Sequence, residues 1–250
     1  MKARPRLLPA LVLCLGACPS ERASAPVPRD GQLGAQRCSG KPGPHNPVNR
    51  VLQRPFDGQY PVASLFDHEL PNPGTVGPAS PGDSELTYCG LTALGVPDGF
   101  SGYSFLLPLN TPVLAPADGE VLTAGLKPPS SCPLTRRPAE DELAVELRHD
   151  GLGGVGFITR YTHLSRVMVR AGETVVKGQR IGLSGESGCT LGPQLYFEVL
   201  RMTSTRTGRP VVVDPYGWDG PRKDPWAEHS SGAASEYLWI DQEAPTLKAR

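Results

Sequence analysis

The chain has 250 residues, no formal net charge, and a composition that is 38% hydrophobic and 20% charged. With no net charge, neither nucleic acid nor an acidic membrane surface is an obvious partner, and no nucleic acid is expected. Its 29 glycines and 28 prolines are roughly twice the average share of these turn-formers, which favours short strands and loops over long helices.

The start of the chain reads as an export signal. Lys2, Arg4 and Arg6 give a positive beginning, and Leu7 to Leu15 an apolar core too short to span a bilayer as a helix. The core runs into Leu15-Gly16-Ala17-Cys18, which resembles the lipobox of bacterial lipoproteins. That resemblance implies a signal segment 1–18 and lipidation at Cys18, so that the membrane is reached through the lipid anchor only, facing periplasm or cell surface. Cleavage after Ala23-Ser24-Ala25, leaving a secreted soluble chain, is the alternative.

On either cleavage Cys38, Cys89, Cys132 and Cys189 remain, an even number that suits an oxidising compartment. Sequence alone does not choose among the three pairings they allow. The pairing favoured is Cys132 with Cys189 and Cys38 with Cys89, and the first of these loops would stabilise the fold by roughly 4 kcal/mol in the chain-entropy account.

Residues 19–50 are rich in Pro, Gly, Ser and Ala, with little to bury, and read as a tether. Residues 51–99 read as an irregular lead-in packed on the core. The core itself, 100–213, has a β pattern. Leu143, Val145 and Leu147 alternate with polar residues, and Phe157, Thr159, Tyr161 and His163 fall on one face of a second strand. Val175-Val176 and Gly178 to Gly182 read as two short strands around a turn. Gln194, Tyr196 and Glu198 share one face of a last strand, with Leu195, Phe197 and Val199 on the other. In the C-terminal extension, 214–250, the rings of Trp218, Trp226 and Trp239 are expected to pack onto the core.

Four stretches in order carry a family resemblance. They are Thr111 to Val121 (TPVLAPADGEV), Tyr161-Thr162-His163-Leu164-Ser165, Ala171 to Gly182 (AGETVVKGQRIG), and Gly192 to Val199 (GPQLYFEV). Together they resemble the lysostaphin-type (LytM) zinc metallopeptidases, whose matching segments run GTPV-x-A-x-x-DG-x-V, Y-x-H-L-S, V-x-x-G-x-x-V-x-x-G-x-x-I-G and G-P-H-L-H-F-E-V. The resemblance implies an all-β fold with an antiparallel β-sheet core, the duplicated hybrid motif. In active members zinc is held by the His and Asp of H-x-G-x-D and the second His of H-x-H. Three such ligands leave one position open for a water, which the ion acidifies while polarising the scissile carbonyl. The other two histidines assist as acid, base or donor.

This chain departs from that set. Gly99 to Phe105 (GFSGYSF) aligns with G-H-x-G-x-D-F, which places Phe100 and Ser104 at the first two ligand positions, and H-x-H has become Gln194-Leu195-Tyr196. A phenyl ring cannot ligate, a serine hydroxyl is a poor carboxylate, and a tyrosine would have to lose a proton with a pKa of about 10. Only His163 stays at its family position. No zinc or other cofactor is therefore expected, and Phe100, Ser104, His163, Gln194 and Tyr196 become candidates for an apolar, aromatic binding groove. Of the other histidines, His45 and His229 carry no pattern. His68, in Phe66-Asp67-His68-Glu69, is expected at a surface or turn. His149, before Asp150-Gly151, is expected to end a strand.

By this reading the domain does not cut, and its partner is peptidoglycan or a cell-wall amidase or other hydrolase, as in the family's degenerate members. One alternative is a peptidoglycan endopeptidase with unconventional ligands or none, for which Ser104 and His163 are the one pairing to consider. A structural envelope lipoprotein is the other.

Overall fold

The computed structural model describes residues 50–69, 84–94, 99–128, 132, 141–151, 155–202, 210–228, 235–240 and 243–247. The signal segment, residues 19–49 of the tether, Cys18, Cys38, His45 and His229 lie outside them. Among the described residues no helix is long and apolar enough to cross a membrane.

The described chain is all-β, apart from one 3-10 turn at Pro225–Glu228. The main sheet uses β1 (Val62–Ser64), β4 (Tyr103–Phe105), β6 (Gly119–Lys127), β7 (Glu142–His149), β8 (Phe157–Thr162), β10 (Thr174–Val175) and β12 (Leu195–Arg201), in the order β1-β4-β12-β8-β7-β6-β10. A short strand, β13 (Val211–Val212), pairs with the end of β12. A second sheet, β5-β11-β9, is built from β5 (Pro112–Leu114), β9 (Leu164–Val167) and β11 (Arg180–Ser184). A hairpin of β2 (Ser84–Leu86) and β3 (Thr92–Leu94) stands apart. Every ladder is antiparallel, as the family resemblance implies.

Strand periodicity explains the packing. On β12, Leu195, Phe197 and Val199 are buried on one face, and Phe197 sits opposite Tyr103 on β4 and Tyr161 on β8. Val145 and Leu147 are buried on β7, while Leu143 at its start is half-buried. β7 ends at His149, whose two ring nitrogens meet the Asp118 carbonyl (2.9 Å) and the Thr159 hydroxyl (2.8 Å). The two short strands around Lys177-Gly178 do not pair with each other: β10 joins β6 in the main sheet, and β11 joins β5 and β9 in the second.

Two expectations need correction. β8 carries Phe157, Thr159 and Tyr161 on one face but stops at Thr162, because His163 adopts a left-handed φ of 62° and turns the chain into β9. His68 is not at the surface. It is fully buried, with Nδ1 2.8 Å from Asp224 Oδ1 and Nε2 2.9 Å from Asp214 Oδ2. Both carboxylates lie about 150 positions away in sequence, so no local pattern exposes the pairing.

One core joins the lead-in, both sheets and the tail, with Leu52, Phe56 and Phe66 packed beside Phe105, Phe197 and Trp239. Trp239 is fully buried and Trp226 packs half-buried against the core. The ring of Trp218 lies 4.8 Å from that of His68.

Gly102 shows how closely β4 and β12 approach. A Cβ there would stand 2.5 Å from the Phe197 carbonyl oxygen and 2.9 Å from the Tyr196 ring. Gly102→Ala is expected to push the strands apart and to lower stability by about 1–3 kcal/mol, the usual range for overpacking. Urea denaturation checks this, and an unchanged midpoint would show that the strands can part freely there.

Candidate functional site

The sheet register brings most of the predicted groove residues together. Tyr196 on β12 sits directly opposite Ser104 on β4 and Thr162 on β8, so these residues share a face, and His163 follows Thr162 at the strand's end. Phe100 precedes β4 and presents its ring edge-on to Tyr196, with centroids 5.4 Å apart and planes at 87°. The lead-in fixes it there. Asp67 N–H donates to the Phe100 carbonyl (2.8 Å), and Gly99 N–H donates to Asp67 Oδ2 (2.9 Å). The His163 and Tyr196 rings are 6.5 Å apart. Gln194 directly precedes β12, and its backbone N–H donates to the Gly185 carbonyl (2.9 Å).

The Tyr196 hydroxyl is engaged. It donates to Glu198 Oε1 (3.0 Å) and lies 3.0 Å from Ser101 Oγ, which donates to the same carboxylate oxygen at 2.6 Å. Glu198 is 4% exposed, and its other oxygen accepts from Arg160. Arg160 Nε in turn donates to Glu146 (2.7 Å), which also accepts from Lys127 Nζ (3.1 Å). Glu198, Arg160 and Glu146 are register partners across β12, β8 and β7, so they form a ladder of alternating charge one pleat from Tyr196.

The electrostatics follow. Burial, and then the Glu198 charge, push the Tyr196 phenol well above its ordinary value, so it stays protonated. Burial opposes charge on Arg160 as well, but Glu198 and Glu146 outweigh it and hold the guanidinium above its usual value. Glu146 is held below the usual carboxylate range, because its bonds to Arg160 and Lys127 overcome its desolvation.

His163 is arranged differently. Its Nδ1 is 2.8 Å from the Ser187 carbonyl, an acceptor only, so Nδ1 carries the proton. Glu142 Oε1 is 3.3 Å from the same nitrogen. Burial lowers the His163 pKa despite the Ser187 bond and the Glu142 charge. The ring is therefore neutral near pH 7, and Nε2, which has no hydrogen-bond partner among the described residues, is an acceptor.

As a donor set for zinc these positions do not fit. Phe100 has no lone pair, the Ser104 hydroxyl is a neutral donor on a side chain only 2% exposed, and the Tyr196 oxygen is protonated and turned to Ser101 and Glu198. No hydrogen bond joins Ser104 to His163, which are separated by β12 with Tyr196 between them. Among the described residues no group of three His, Cys, Asp or Glu could hold a metal ion.

The periodicity placed Glu198 on the face of Tyr196, but Ser101, Arg160, Glu146 and Ser187 were missed. Their roles depend on cross-strand register and a loop contact, which leave no spacing signal.

The Cys132–Cys189 disulfide is formed. Cys89 is disulfide-bonded as well.

The sequence profile of peptidase family M23 matches residues 99–211, the segment that builds this site. Residues 99–211 belong to peptidase family M23. The peptidoglycan DD-endopeptidase ShyA of Vibrio cholerae is 31% identical over 165 residues, 66% of this chain and 29% of ShyA. The cell division protein DipM of Caulobacter vibrioides is 33% identical over 114 residues, 46% of this chain and 16% of DipM. A zinc-containing peptidase from Vibrio cholerae of solved structure is 27% identical, with a TM-score of 0.41 over 66% of this chain and 39% of that one. The chain thus spans under a third of either curated relative. The matched segment contains every candidate groove residue, from Phe100 to Tyr196.

Proposed function

We propose that this M23 domain is non-catalytic and works at the cell wall as a binding or regulatory module, exported and held to a membrane by a lipid on Cys18. Its partner is peptidoglycan or a cell-wall hydrolase. The observation that carries the reading is the state of Tyr196. At a position where the family places a zinc ligand, its hydroxyl is bound to Ser101 and Glu198 and its ring closes on Phe100. Phe100 and Tyr196 put aromatic rings where the family places metal ligands, and a site with no ion to hold has no need of those ligands. Two relatives support the setting: ShyA is named a peptidoglycan endopeptidase and DipM a cell division protein.

The test is metal content and activity together. The chain lacking residues 1–18, with its disulfides formed, is equilibrated with excess zinc, desalted and assayed by plasma mass spectrometry. It is then incubated with purified sacculi. The expected result is zinc near zero, no released peptides, and protein retained on the sacculi or on an amidase. One tightly held zinc per chain, or soluble peptides released in chelator, would overturn the proposal.

A further inference from the structure

The loop 185–194 between β11 and β12 is the element that fixes His163, and its attachments are few. Its base is closed by the Gly185–Gln194 bridge. Ser187 supplies the rest: its carbonyl accepts from His163 Nδ1, its hydroxyl donates to the Leu164 carbonyl at 2.7 Å, and the same oxygen accepts from Leu143 N–H at 3.0 Å. Gly188, at φ 75°, passes so close to β7 that an added Cβ would stand 2.8 Å from Cβ of Glu142. Next to it, Cys189 is bonded to Cys132, which lies in the connection between β6 and β7. Loop and hairpin are thus joined covalently across 57 residues of chain.

His163 needs this support. A left-handed backbone at a residue other than glycine is strained and persists only where the surroundings over-determine it. Each of these loop hydrogen bonds is half-buried, so the loop's own bonds are thin protection against local opening.

We propose that the Cys132–Cys189 disulfide is a redox-sensitive lock on the groove, holding loop 185–194 where the Ser187 carbonyl fixes the orientation and tautomer of His163. A dithiol opens the lock. The Sγ–Sγ bond takes up two electrons and two protons to give two thiols, and the dithiol closes to its own disulfide. With the lock open, His163 Nε2 no longer presents one defined acceptor to the groove. The link to ligand binding rests on the groove reading above, but the lock itself does not.

The test therefore needs no ligand. In the Cys132→Ser/Cys189→Ser variant, which leaves the Cys89 bond in place, amide exchange over 186–193 is expected to run about tenfold faster relative to β12. The His163 Nδ1–H nuclear magnetic resonance signal should broaden or vanish. If this variant does not fold, the same exchange is followed in the wild-type chain during dithiol titration, with each bond's reduction tracked by thiol alkylation and mass spectrometry. Unchanged loop exchange and an intact His163 signal once Cys132–Cys189 is open would overturn the lock. That outcome would leave the zinc and sacculus results untouched.

Discussion

His68→Leu is expected to destabilise the protein by about 3–5 kcal/mol at pH 7, the range for removing one member of a buried ionic group. His68 bridges Asp214 and Asp224 through its two nitrogens, and all three side chains are at most 7% exposed. Asp214 also accepts from the Tyr103 hydroxyl (2.7 Å) and the Tyr216 N–H (2.8 Å), and Asp224 from the N–H groups of Trp226 (3.0 Å) and Ser235 (3.1 Å). Those donors would remain in the variant, but the cation between two buried carboxylates would be gone. The contact matters because it ties the lead-in that positions Phe100 to the tail beyond β13.

The effect carries a pH signature. Burial alone would depress the His68 pKa, yet its hydrogen bonds to Asp214 and Asp224 and their charges raise it to about 9. The unfolded value is about 6.5, so this contribution is complete below that pH and is lost as pH rises through 9, about 3 kcal/mol in all. On the acid side, Asp224 is desolvated, but its bond to His68 outweighs this and holds it below the usual carboxylate range. Its contribution is therefore lost only as pH falls through that lowered value. Urea midpoints at pH 6, 7.5, 9 and 10, with wild type and His68→Leu side by side, check the sign. The gap between the two should shrink as pH rises, and a gap independent of pH would show that His68 acts through packing alone.

Legibility in the sequence followed the range of each interaction. Alternation along single strands exposed the buried face of β12, Leu195, Phe197 and Val199, because burial of a strand face has a period of two residues. The same rule carried β8 one residue too far, since nothing in Tyr161-Thr162-His163-Leu164 marks a left-handed turn at a histidine. Phe100, Ser104 and Tyr196 were reachable through motif order, which stands in for the register that brings them together. The ladder of Glu198, Arg160 and Glu146 was not, because it depends on two register matches between separate strands. The His68 clasp was hidden for the same reason at longer range. Its partners lie in the C-terminal extension, where only the tryptophans were expected to pack onto the core.

The combined variant Phe100→His, Ser104→Asp, Gln194→His and Tyr196→His is expected to bind one zinc per chain where wild type binds none. Positions 104 and 196 are register partners, and side chains so placed have Cβ atoms about 4.5–5.5 Å apart, a span from which two ligands can converge on one ion at about 2.0–2.2 Å. Position 100 already meets position 196 ring to ring. An imidazole at 196 is shorter than the phenol it replaces, so it withdraws from Ser101 and Glu198 and is freed to face the groove. Glu198 keeps Arg160 as its counter-charge. Without metal the variant should be less stable than wild type, since the Tyr196 bonds are gone and an acid has entered a buried position at 104. Zinc should reverse this, by about 2.7 kcal/mol at a free concentration one hundred times Kd, and the rise should vanish in chelator. Plasma mass spectrometry and denaturation with and without zinc measure both effects. A folded variant that takes up no zinc would remove Phe100, Ser104 and Tyr196 from the ligand positions, because register and ring contact leave the new donors nowhere else to converge.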